Sequence, residues 1–131
     1  MGPIAKALKA GEIEALAQYY GALGYEHTPL AGDPETLERG EDLALRGKPE
    51  YGVPGCFACH GQNGVGVGAV FPPLAGQPPA YLTAQINRWQ NGARDNDENG
   101  LMRSIAEWMT DGDKQAVAAY LANLSYKVEA K

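Results

Sequence analysis

Only two cysteines, Cys56 and Cys59, occur among the 131 residues, which excludes a disulfide framework and confines any cysteine chemistry to one spot. Basic residues are also scarce: eleven Lys and Arg against sixteen Asp and Glu leave a formal net charge of −5. That balance gives no electrostatic footprint for nucleic acid or for an anionic membrane surface. No apolar run approaches the ~18 residues that a membrane span requires. No basic stretch followed by an unbroken apolar core stands at the amino terminus, so no signal peptide is expected in this chain. No segment alternates convincingly as a strand would.

What is present is the balance of an ordinary folded domain, with 44% hydrophobic and 21% charged residues. Loop formers are in surplus, at 17 glycines and nine prolines. They cluster, since residues 47–79 hold eight of the glycines and six of the prolines. An irregular stretch of that length implies function or disorder.

Around it the chain reads as all-α. A first helix is expected from Ile4 to Leu23, stopped by Gly24, and a turn or linker from Glu26 to Pro34. A second helix runs to about Leu45, with Asp33 as N-cap, Pro34 at the first helical position and Gly47 past the end. Tyr81, Leu82, Ile86 and Trp89 give one face to a helix from Pro79, and Leu101, Ile105 and Trp108 suggest a further turn or two. The last helix spans Asp111 to Leu124, with Thr110 and Asp113 in capping-box relation.

The two ends also resemble each other. Sliding Met1 onto Met102 matches Ile4/Ile105, Ala5/Ala106, Gly11/Gly112, Ala15/Ala116, Ala17/Ala118, Tyr19/Tyr120 and Leu23/Leu124, eight identities in 23 positions without a gap. Two alanine-rich amphipathic helices share some of this by composition. The Met, Ile-Ala and Gly ahead of the helix favour a true repeat. The expected organisation is an extension over residues 1–26 that resembles the end of a preceding domain, a linker over 27–35 and the main domain over 36–126.

Cys56-Phe57-Ala58-Cys59-His60 is C-x-x-C-H, the attachment signature of a c-type haem. One turn of backbone places two thiols where each can add to a porphyrin vinyl group, and the adjacent imidazole falls under the iron. A thioredoxin-like pair would need a strand before the motif and a helix after it, whereas Val53-Pro54-Gly55 precedes and Gly61 follows. A zinc site would need further ligands, and His27 is the only other histidine. One haem c per chain, held through Cys56 and Cys59, would also explain the loop surplus, because a buried ring replaces some helix-to-helix burial. Gly61, Gly64, Gly66 and Gly68 would then permit positive φ and close approach.

The chain resembles the class I cytochrome c domain, most of all the bacterial cytochrome c4 type in which two such domains are fused. The resemblance covers about Leu37 to Leu124. It rests on Arg39-Gly40 with Leu43-Ala44, Cys56 to Gly61, Phe71 to Gln77, Tyr81-Leu82 with Gln85, Gly92 and Arg94, then Met102, Ile105-Ala106 and Ala116 to Leu121. It implies helices wrapped around one covalent haem, thioethers at Cys56 and Cys59, His60 as proximal ligand, and the Pro72 carbonyl as acceptor for the far ring nitrogen of His60. A plain rigid turn is the other reading of Pro72-Pro73.

For the distal ligand the candidates are Met102 and Met109. Met102 follows the flexible Asn99-Gly100 pair ahead of Ile105-Ala106, as the family pattern asks, whereas Met109 abuts the last helix, where methionine is commonly a core filler. His27 is the non-methionine alternative. Arg94 suits a haem propionate, or pairs with Asp95 or Asp97. Tyr81, Gln85 or Trp89 could assist there, and core packing is the other reading of Tyr81 and Trp89.

The expected function is electron transfer by one iron with His/Met ligation, serving redox partner proteins and not acting as an enzyme. A haem domain or subunit of a larger periplasmic oxidoreductase, accepting electrons from a dehydrogenase, is the second reading. A peroxidase or gas sensor is the third, if no methionine binds. A second haem domain or a second copy of the chain is a further candidate partner for the amino-terminal helix. As the resemblance implies, haem attachment places the protein in the periplasm or otherwise outside the cytoplasm.

Overall fold

The computed structural model describes residues 2–27, 29, 32–125 and 127–128. Its order is α1 (Gly2–Ala7), α2 (Ala10–Ala22), β1 (Tyr25–Glu26), α3 (Pro34–Arg46), α4 (Phe57–His60), α5 (Pro79–Gln90), α6 (Leu101–Ala106), α7 (Asp111–Asn123) and β2 (Lys127–Val128). Short 3-10 turns at Pro49–Tyr51, Gln62–Gly64 and Glu98–Gly100 punctuate the loops. The chain divides into two compact units, residues 1–27 with 127–131, and residues 28–126.

The larger unit is helical because its helices start and stop where the sequence says. Asp33 accepts from Thr36 N–H at 2.9 Å, and that bond holds its carboxyl below the ordinary value. Thr110 and Asp113 complete a capping box at the head of α7. Leu43 and Ala44 of α3, Leu82 of α5, and Ala116, Val117, Ala118 and Leu121 of α7 form the core. Small residues dominate it, so the helices approach closely. Gly40 fixes the closest approach, because a Cβ there would lie 2.2 Å from the Ala116 carbonyl oxygen and 2.6 Å from Tyr120 Cβ.

Two buried charges tie the helices together. Asp113 accepts from Arg39 at 2.7 Å and from Lys48 at 3.1 Å, and Lys48 also reaches the Trp108 carbonyl at 3.0 Å. Burial pushes the Asp113 carboxyl up. The Arg39, Thr110 and Lys48 donors outweigh burial and hold it well below the usual carboxylate range. The buried Lys114 ammonium is met by Asn87 Oδ1 at 2.6 Å, Gln90 Oε1 at 2.8 Å and Asp111 Oδ1 at 2.7 Å. Gln90 Nε2 then donates to the carbonyls of Ala106 and Met109, at 2.7 and 2.8 Å. This network connects α5, α6 and α7. On the surface, Tyr51 stacks on Trp108 with ring centroids 4.9 Å apart.

In the smaller unit the expected single helix is two. The break falls at Leu8–Lys9, where Glu12 accepts from Lys9 N–H at 2.8 Å and starts a new amino terminus without proline or glycine at the break. Neither α1 nor α2 contains a buried residue. The absence of strand was also too strict, since β1 and β2 pair antiparallel, Tyr25 opposite Val128 and Glu26 opposite Lys127. Two-residue strands are too short for alternation to reveal them. Met1 of the repeat, and Thr28, Leu30 and Ala31 of the expected linker, lie outside the described residues.

Candidate haem site

Helix α4 is a single turn, closed by His60 N–H on the Cys56 carbonyl at 2.9 Å. Cys56 opens the turn and Cys59 is its third residue, so both thiols belong to one turn of backbone, and neither is in a disulfide. Cys56 Sγ sits 4.0 Å from the Leu43 carbonyl of α3, and burial pushes its thiol up to about 11. It therefore stays a neutral thiol at neutral pH.

His60 is buried, and its Nδ1 lies 2.7 Å from the Pro72 carbonyl oxygen. A carbonyl only accepts, so Nδ1 carries the proton and Nε2 keeps its lone pair. Phe71 stands edge-on to the imidazole, centroids 6.1 Å apart.

The intervening loop is what brings Pro72 back. Gly66 N–H donates to the His60 carbonyl at 2.8 Å, Leu74 and Ala75 N–H donate to Gly64 O, and Val67 pairs with Phe71. Gly61, Gly64, Gly66 and Gly68 all take positive φ, between 57° and 88°. At Gly66 a Cβ would meet Phe71 O and Pro73 N, each at 2.9 Å, so conformation and space both require glycine.

Met102 stands in the first turn of α6, half-buried, while Met109 packs against the core cluster. The turn before α6 is pinned by Asp97, whose carboxylate accepts from Arg103 N–H at 2.9 Å and is drawn below its ordinary value by that bond. Arg94 forms a separate group. Its Nε donates to Asn96 at 2.7 Å, its guanidinium donates to Gln85 at 3.0 Å, and the plane lies 4.0 Å from the Trp89 ring centroid. Its alternative partners Asp95 and Asp97 are replaced by these neutral groups. Trp89 is a core residue, whereas Tyr81 is half-exposed. Buried Trp89 Nε1 and Arg103 Nε have no hydrogen-bond partner among the described residues. His27 is half-buried in the smaller unit.

Sequence reasoning missed Lys114, Asn87 and Gln90, which together hold the carbonyls of Ala106, at the end of α6, and of Met109. The available signal was a lysine on the apolar side of the last helix.

The fold is a class I cytochrome c fold. The profile of the cytochrome c family matches residues 44–125, and the chain belongs to that family. A thiosulfate dehydrogenase electron acceptor of Stutzerimonas stutzeri is 49% identical over 128 residues, 97% of this chain and 59% of that protein. A thiosulfate dehydrogenase structure from Marichromatium purpuratum superposes with a TM-score of 0.86 at 42% identity, covering 95% of this chain and 27% of that one. The cytochrome c4 structure from Acidithiobacillus ferrooxidans gives a TM-score of 0.83 at 35% identity, covering 95% and 71%. The chain spans about three fifths of the length of the curated relatives it matches. Covalent haem c fits the residues present: two unpaired thiols on one turn, an imidazole with a free Nε2, and a thioether on a separate helix.

Proposed function

We propose that the chain carries single electrons on a covalently bound haem c, with Cys56 and Cys59 as the thioether residues, His60 as proximal ligand and Met102 as distal ligand. The observation that carries this reading is the His60 to Pro72 bond, which holds the imidazole in the tautomer that leaves Nε2 free beside two unpaired thiols. The bound haem supplies one iron that alternates between ferric and ferrous states. The protein's part is to orient the imidazole, present a soft sulfur that favours the ferrous state, and keep water out. With imidazole and thioether both in place no position remains for peroxide or oxygen, so the chain acts as carrier and not as enzyme. Arg94 has used two of its five donors and is the candidate for a propionate.

The ferric protein is expected to show the weak far-red absorption of a methionine-to-iron bond, lost in Met102→Ala and kept in Met109→Ala. Persistence in Met102→Ala would overturn the ligand assignment, and ready carbon monoxide binding by the wild type would overturn the carrier reading.

A second, narrower reading is that the electron donor is a thiosulfate-oxidising dehydrogenase. It is supported by the name of the S. stutzeri relative and by the likeness to part of the M. purpuratum enzyme. Mixing the oxidised chain with such an enzyme and thiosulfate should reduce it on the timescale of turnover; no reduction would sink this reading alone. Among the described residues no helix is long and apolar enough to cross a membrane. The reading carries with it a periplasmic or otherwise extracytoplasmic location, which is where haem attachment of this kind takes place.

A further inference from the structure

Met102 sits on a helix that cannot hold itself in place. Helix α6 has six residues, Leu101 to Ala106, and a helix of that length is not stable in water without outside contacts. Its cap residue, Gly100, offers no side chain to the first N–H groups. Two side chains from outside the helix take over its two ends.

At the front, the Asp97 carboxylate accepts from Arg103 N–H at 2.9 Å. That bond, and more weakly the N–H of Met102 itself, favours its ionised form. At the back, Gln90, the last residue of α5, donates both amide hydrogens, to the carbonyls of Ala106 and Met109 at 2.7 and 2.8 Å. Ala106 closes α6 about one turn past Met102. The connection to α7 is held in the same way, since Lys48 donates to the Trp108 carbonyl at 3.0 Å and is itself gripped by Asp113.

The direction of the Gln90 amide is set by Lys114. An ammonium only donates, so the atom 2.8 Å from Lys114 Nζ is Oε1, and Nε2 is left facing the two carbonyls. All three hydrogens of Lys114 are used, the others on Asn87 at 2.6 Å and Asp111 at 2.7 Å. Its side chain is only 6% exposed, and burying an ammonium is unfavourable. Stability alone would be served as well by an apolar residue at that place in α7.

We propose, on the reading of Met102 as distal ligand, that Asp97, Gln90 and Lys114 are positioning residues, which hold α6 at both ends and keep the Met102 sulfur on the iron. They act through the backbone of α6. An added ligand for ferric iron must displace the sulfur, so its affinity measures how readily the sulfur leaves.

The test is imidazole binding to the ferric holoprotein, followed by loss of the far-red band. Gln90→Glu keeps an oxygen for Lys114 but offers no hydrogen to the carbonyls, and Asp97→Ala removes the front acceptor. Each should tighten imidazole by about tenfold. Lys114→Met, which frees the amide to turn, should act in the same direction. Asp97→Asn, whose amide oxygen still accepts from Arg103, should keep the wild-type affinity. Gly40→Ala, which loosens the α3 to α7 crossing, should lower the melting temperature and leave imidazole affinity unchanged. Wild-type affinity in both Gln90→Glu and Asp97→Ala would overturn the proposal, as would equal tightening in Gly40→Ala, the mark of general loosening. A band kept in Met102→Ala would instead remove the distal-ligand reading, and the proposal with it.

Discussion

Gly66 shows how much of the site depends on the absence of a side chain. Its φ of +88° is costly for other residues by about 1–2 kcal/mol, and a Cβ would press on the strand of chain that delivers Pro72. Gly66→Ala is therefore expected to lower the thermal midpoint and to raise the reduction potential, because loosening the acceptor that holds His60 makes the imidazole a weaker donor to ferric iron. Potentiometry separates the two effects. Gly40→Ala acts elsewhere, at the α3 to α7 crossing, and should destabilise by about 3 kcal/mol in denaturant titration with little change in potential. At this scale the sequence was most informative where chemistry is local. The Cys56 to His60 spacing and the Asp33 and Thr110 caps need only neighbouring residues to make sense. Arg94 was harder, since nearby Asp95 and Asp97 suggested ion pairs. The backbone gave Asp97 to Arg103 N–H and left Arg94 with Gln85, Asn96 and the Trp89 ring.

Among the elements, α7 is held at its head by a carboxylate and in its first turn by an ammonium. Asp113 is depressed by its donors, so its stabilisation is whole above about pH 4, the ordinary carboxylate region of the unfolded chain, and is lost as the pH falls toward its lower folded value. Asp113→Asn should cost about 2 kcal/mol at neutral pH, less than a fully buried pair because Arg39 is half-exposed. The gap from wild type should shrink as acid unfolding is followed downward from that pH; a constant gap would reject the ionic origin. Gln90→Leu should release the carbonyls of Ala106 and Met109 and cost about 2 kcal/mol. It should also weaken the far-red band on mild warming, before global unfolding. Beyond the Thr110 and Asp113 capping box, none of this was legible beforehand. Lys114 finds Asn87 and Gln90 only once α5 and α7 are packed, and the break before Lys9 comes from a Glu12 bond rather than from a breaker residue.

For the whole molecule, the helical reading and the placement of a long loop between helices survive with one two-residue strand pair added, because they follow from periodicity and from where glycine and proline cluster. The division into two units also has a part that periodicity does not reveal, since β2 returns to pair with β1 from the far end of the chain. The net charge of −5 with only eleven basic residues disfavours a lysine-ringed docking surface and leaves a small apolar patch or a basic partner as the expectation. Electron exchange with a cationic donor should therefore slow as salt rises, and exchange with an anionic donor should speed up; stopped-flow rates at several ionic strengths check this.

The two tryptophans are placed in contrasting surroundings. Trp89 is 8% exposed among the helices, whereas Trp108 is 50% exposed and stacked on Tyr51. An indole in water emits at longer wavelength than one in a dry interior. The two indoles are thus two optical channels, a blue one sensitive to the interior and a red one sensitive to whatever covers the Tyr51 to Trp108 plate. Replacing either indole with phenylalanine would leave a single-colour reporter, so that loosening inside and contact outside can be timed independently in one protein.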